Sequence, residues 1–193
     1  MTTQSAPRNF KDRRSEREFE IAAFIRKCLT TSQSVSGSDE LLVIALSSKS
    51  PVIAALDTVL AETTAPRSTV RIILATLPEN DPAEELKNTA PAEVRWAANP
   101  RLMDAHEQLV IGSESSWVGD CMRRDPDKLD AFQSFNESCL EAAGWARISF
   151  ERLWAAAKPL ATIPGPVDFP QSDIGTAAQA ALRRSITHWA TAK

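Results

Sequence analysis

This sequence predicts an α/β fold, a mainly parallel mixed sheet flanked by helices, and three observations predict it. Short apolar runs rich in Val, Ile and Leu alternate with segments whose apolar residues recur at helical spacing. The connections between those runs are long enough to hold helices, as parallel strands require. The composition, 43% hydrophobic and 24% charged over 193 residues, suits one globular domain with a sizeable core.

Residues 1–14 carry Arg8, Lys11, Arg13 and Arg14 with little apolar content, and read as a flexible basic tail. Ser15 and Glu18 then have capping-box spacing. Ile21, Phe24, Ile25, Cys28 and Leu29 follow on one helical face, so the spacing predicts an amphipathic helix over 15–30. "SQSVSGSD" at 32–39 is a loop. "LLVIAL" at 41–46 is the continuous apolar run of a strand buried on both faces. Ser50 and Pro51 supply an N-cap and a first-turn proline for a helix carrying Val52, Ile53, Leu56 and Leu60.

"STVRIILATL" is a second strand, "DPAEELKNT" at 81–89 a short helix with an acidic first turn, and "AEVRWAA" a third strand with Val94 and Trp96 inward. "AHEQLVIG" and "ESSWVG" read as strand, turn, strand. Asp125 and Pro126 then open a long helical region over 127–158, whose first face holds Leu129, Phe132, Phe135, Cys139 and Leu140 and which Gly144 is positioned to interrupt. Its end, "SFERLWAAAKPL", sets Phe150, Leu153 and Trp154 on one side. Trp117, Trp145 and Trp154 read as core anchors. The α/β domain thus spans 15–160. Residues 161–171, rich in proline, form a linker, and 172–193 a C-terminal amphipathic helix with Leu182, Ile186 and Trp189 at helical spacing.

The bulk properties weigh against several functions, though a local basic patch for nucleic acid is compatible with them. A net charge of −3 provides no global field for nucleic acid or an anionic membrane. Cys28, Cys121 and Cys139 are odd in number and lack a C-x-x-C pattern, which argues against a disulfide framework and for a reducing cytoplasm. The N-terminus has no apolar secretory segment, and "LLVIAL" is too short to cross a bilayer. His106 and His188 are the only histidines, so a zinc site would have to recruit scattered cysteines. There is no phosphate-cradling glycine loop and no G-x-S-x-G elbow. No cofactor is expected.

The chemistry concentrates in "DAHEQLVIGSESSWVGDCMRRDP", residues 104–126. On a strand His106 and Gln108 share one face, a polar pair opening an otherwise apolar strand. By spacing alone, a hydrogen-bonded histidine at a sheet end accounts for it. The stretch also resembles the signature of the phospholipase D superfamily: a strand with histidine, any residue, lysine, four residues and an aspartate, then a second strand and a Gly-Ser-any-Asn segment. The resemblance runs from about residue 41 to 160, through "LVIALSS", "VRIILATL", "VRWAANP" and "FERLWAAAKPL".

It implies that His106 stands at the family's nucleophile. Gln108 then replaces its lysine and Ser113 its aspartate, with Glu114 one step on. Gly119 arrives one residue early, Asp120 replaces the serine, and Met122 the asparagine. In the family one histidine attacks a phosphodiester while a second, from another copy of the motif, protonates the leaving group. Losing one group that stabilises the developing charge typically costs about 10²–10³ in rate. Gln108 donates hydrogen bonds but brings no charge, whereas Arg123 or Arg124 has the chemistry to replace the lysine. This chain carries one copy of the motif, so the resemblance implies a homodimer with His106 of each subunit facing across a two-fold axis.

Three readings follow. One is a phospholipase D-like pseudoenzyme acting as a binding, scaffolding or regulatory protein, with a protein partner on the C-terminal helix or the basic N-terminal arm. Another is an active metal-independent phosphodiesterase or nuclease in which His106 attacks and Glu114, Arg123 or Arg124 substitutes for missing groups. The last is an unrelated α/β protein with an incidental histidine.

Overall fold

The computed structural model describes residues 10–32, 40–62, 69–77, 92–97, 99–124 and 131–163. The elements in chain order are α1 (Phe10–Ser32), β1 (Glu40–Ala45), α2 (Pro51–Glu62), β2 (Thr69–Leu74), β3 (Ala92–Trp96), a 3₁₀ turn (Pro100–Asp104), β4 (His106–Ile111), β5 (Ser115–Cys121), β6 (Ser134–Asn136), α3 (Leu140–Ala156) and β7 (Lys158–Ile163). The seven strands form one mixed sheet in the order β6-β5-β4-β1-β2-β3-β7.

The expected α/β architecture is present, with one adjustment to its balance. Only β1-β2 and β2-β3 pair in parallel, and the other four pairings are antiparallel. The reason is local for β4 and β5: a turn over 112–114 joins them, and so short a link permits only antiparallel pairing. Gly112 sits in this turn at φ 58°, a conformation that costs glycine little.

β1 lies centrally and is buried on both faces, as its unbroken apolar run requires. Leu41, Val43 and Ala45 face α1 and α2, where they join Ile21, Phe24, Ile25, Val52, Ile53 and Leu56. Leu42 and Ile44 face α3, where they join Ile73, Val110, Ala143, Ala146, Phe150 and Trp154. Each fully buried aliphatic side chain contributes about 1.5–3 kcal/mol by leaving water.

Four expectations are corrected. First, α1 begins at Phe10 instead of 15, and Ser15 is an exposed residue within it, not its cap. Arg14 pairs with Glu18 at 2.9 Å along the helix, and its guanidinium reaches the Lys49 carbonyl. These contacts extend the helix through a stretch with no apolar pattern to announce it. Second, residues 131–139 are not helical. Phe132 and Phe135 mimic helical spacing, but Phe135 stands on β6 and meets Phe24 edge-on, centroids 5.3 Å apart. Gly144 does not interrupt α3.

Third, β7 occupies residues assigned to the long helix and the linker, and pairs with β3 across a register shift between Val94 and Arg95. It forms one border of the sheet and carries exposed Lys158 and Pro159, while three-residue β6 forms the other. Fourth, Trp117 and Trp154 are buried as expected, but Trp145 is 65% exposed. The helix expected over 81–89, the first part of the basic tail and the C-terminal helix lie outside the described residues. Among the described residues, no helix is long and apolar enough to cross a membrane.

Candidate functional site

His106 opens β4 where the parallel strands end. β4 runs antiparallel to β1 with Gln108 opposite Ile44, which sets His106 beyond the carboxyl end of β1. That edge is where open α/β sheets gather ligand-binding groups. The 3₁₀ turn delivers the chain there: Asn99 Oδ1 accepts the Arg101 N–H at 3.1 Å, and Ala105 N–H closes onto Leu102 O. Met122 N–H then bonds Ala105 O at 2.9 Å, tying the end of β5 to the start of β4.

His106 is exposed, and its Nδ1 lies 2.9 Å from the carbonyl oxygen of Gly119. A carbonyl only accepts, so Nδ1 carries the proton. In the neutral ring Nε2 then holds the free lone pair. Gly119 serves this arrangement through what it lacks. A Cβ there would stand 2.4 Å from Cη2 of the Trp117 ring, so only glycine leaves Trp117 its place in the core. Gly119 is thus explained by packing, and its carbonyl orients the histidine.

Gln108 is half-buried, and its Oε1 is sealed from solvent with no hydrogen-bond partner among the described residues. An unmet acceptor of this kind costs about 1–3 kcal/mol. A β-bulge falls between His106 and Gln108, so their pairing with β5 is irregular at the site. Ser113 and Glu114 are not near this pair. They occupy the turn at the far end of β4, about 20 Å away at the rise of a strand. Glu114 is exposed, and its carbonyl accepts Cys139 N–H at 2.8 Å, which seats the start of α3. The geometry does not bring Glu114 to His106.

Asp120, Arg123 and Arg124 do lie at the histidine edge. Asp120 accepts Cys121 N–H at 2.7 Å and Phe132 N–H at 3.3 Å. Burial would raise its pKa, but those two donors and Arg124 outweigh it and hold the carboxylate below its ordinary value. Its visible work is to tether Phe132, which meets His106 edge-on with ring centroids 6.1 Å apart. Arg123 pairs with Asp104 at 2.8 Å and Arg124 with Asp120 at 3.5 Å. The two arginines are thus each matched by an aspartate beside His106.

A second carboxylate escaped the sequence reading. Glu107, on the opposite face from His106, accepts Leu46 N–H at 2.9 Å. Burial pushes its pKa up, while that bond, the Ser50 hydroxyl and the charges of Arg17 and Arg14 pull it back in part. It lines a small cleft with Arg17, Ser50, Trp117, Asp120 and Arg124. Ser50 therefore does more than precede Pro51: its hydroxyl also accepts Ser47 N–H at 3.1 Å. A single glutamate among apolar strand residues gives no pattern from which to infer these partners. Among the described residues, no group of three His, Cys, Asp or Glu side chains could hold a metal ion.

No family model matches the chain, and no curated protein does. Among solved structures, the chain is similar to Nuc from Salmonella typhimurium, a phospholipase D family member. The identity is 13% and the TM-score 0.47, covering 69% of this chain and 89% of that one. It is also similar to NucT from Helicobacter pylori, at 11% identity and a TM-score of 0.48, covering 73% of this chain and 93% of that one.

Proposed function

We propose that this chain is a phospholipase D-like binding or regulatory protein whose catalytic set is degenerate. The observation that carries the reading is the site's charge: Gln108 stands where the resemblance calls for lysine, and Arg123 and Arg124 are each already paired with an aspartate. A phosphodiester entering the site would find a histidine and an uncharged carboxamide. It would lack the cationic groups that stabilise charge as it develops.

One observation favours the alternative, an active phosphodiesterase completed by a second copy of the chain. The Gly119 carbonyl holds His106 in the tautomer whose Nε2 is free to attack. The deciding experiment is hydrolysis of a generic phosphodiester in chelator at high protein concentration, comparing wild type with His106→Ala. Equal background rates are expected. Turnover that disappears with the histidine would overturn the proposal and establish the phosphodiesterase.

A further inference from the structure

The outer face of α3 sets large apolar residues in the open beside exposed Glu141 and Arg152, where a helix facing solvent would be polar throughout. Leu140 is 65% exposed, Trp145 65% and Ile148 44%. Leu140, Gly144 and Ile148 follow one another at four-residue steps, with Trp145 alongside, so these side chains form one patch. Gly144 is the unusual member. A mid-helix glycine costs about 1 kcal/mol relative to alanine, and a Cβ at Gly144 would meet nothing within 4 Å. Nothing inside the described domain needs the missing side chain. A second helix lying against this face would need it, because glycine lets two backbones approach closely.

The chain supplies a segment of matching character. Ile174, Ala178, Leu182 and Ile186 recur at four-residue steps and Trp189 follows three residues later, a continuous apolar stripe. The connection is long enough. Ile163 lies opposite Ala92, Ala92 opposite Val70, Val70 opposite Leu41 and Leu41 opposite Ile111, in one row across the sheet. The four strand spacings from β7 to β4 cover about 19 Å. The α3 start adjoins the turn after Ile111, through Cys139 N–H on Glu114 O. Residues 164–171, with three prolines, reach about 25 Å even at polyproline rise.

We propose that residues 172–191 fold back as a helix onto the outer face of α3 of the same chain, seated over Gly144 between Leu140, Trp145 and Ile148. The C-terminal stripe and the exposed face are then two halves of one intramolecular interface, and α3 gains the helix partner that α1 and α2 already give each other.

Trypsin reads this directly, because Arg183 and Arg184 lie within the segment. Cleavage there tracks the undocked population when docking is fast. In the full-length protein, the cleavage rate after these arginines is compared for wild type, Gly144→Leu and Ile148→Glu, with far-UV dichroism monitoring the fold. Both substitutions fall on exposed or open positions, so the domain should tolerate them. Each is expected to accelerate cleavage by roughly ten-fold or more. Equal rates in all three proteins, whether fast or slow, would overturn the proposal. So would protection that vanishes on dilution, since the cover would then come from a second copy.

Discussion

The sheet is covered by two different chemistries. On one face α1 and α2 meet the strands with Ile21, Ile25, Ile53 and Leu56, each inaccessible to solvent. On the other, α3 brings Ala143, Ala146, Phe150 and Trp154 and is secured by arginines. Arg71 on β2 pairs with Glu40 at 2.7 Å and with Glu151 of α3, and its guanidinium lies 5.2 Å from the rings of both Phe150 and Trp154. Arg95 lies 4.3 Å over Trp154 and donates to its carbonyl, and Arg147 reaches Glu40 and the Gly112 carbonyl. The first face rests on removal of apolar surface from water. The second rests on directional contacts that screen, titrate and can be lost one at a time.

The comparison is broken most severely on the apolar face. Leu56→Ala is expected to cost about 3 kcal/mol, the transfer term plus a cavity, read as a lower urea midpoint at an unchanged slope. Arg71→Ala is expected to cost about 2 kcal/mol, because it leaves Glu40 to Arg147 alone and strips the guanidinium from Phe150 and Trp154, while exposed Glu151 is partly screened. A loss below about 0.5 kcal/mol would mean that α3 is held by its aromatics alone.

The pH dependence sharpens the contrast. Burial would raise the Glu40 pKa, but Arg147 and Arg71 outweigh it and depress the value. The network is therefore intact above the ordinary glutamate range and weakens as pH falls through the depressed value. The gap between wild type and Arg71→Ala should close under acid, as unfolding midpoints below about pH 4 would record.

The smallest effect concerns the other face. Burial pushes Asp57 on α2 up to about 6. Its folded form holds the proton more tightly than the unfolded chain, so stability falls as pH rises from the ordinary aspartate value to about 6. Asp57→Asn should remove that slope and melt a few degrees higher at pH 8, with the half-exposed position limiting the gain.

The two faces also differed in how far the sequence disclosed them. Ile53, Leu56 and the β1 run carry their burial in their spacing, so α2 and the core strands were legible. α3 was legible at Phe150 and Trp154 for the same reason. Its start was not, because Phe132 and Phe135 imitate helical spacing while belonging to an extended segment. The Arg71, Glu40 and Arg147 network joins residues far apart in the chain, and local pattern holds no trace of it.

At the candidate site, alternation along β4 and β5 placed His106 and Gln108 correctly on a strand beside a returning partner. The same strand, turn, strand reading already sets Glu114 at the opposite end of the hairpin from His106, which the resemblance overrode. Alternation could not show that Asp120 is occupied with the backbone of Phe132, or that Gly119 is glycine because Trp117 lies against it. Those facts depend on how the hairpin twists and what packs on it, not on which residues are near in sequence.

The borders of the sheet bear on how the protein behaves in a crowded solution. A long open edge strand recruits other chains by offering unpaired backbone groups. Here one border ends in a strand of three residues, and the other carries Pro159, which has no N–H to give, beside charged Lys158. Among the described residues, both borders are poor templates for strand addition. Self-association that spreads through the backbone, as in fibrils, is thereby disfavoured, and contacts between molecules are left to helices, turns and side chains.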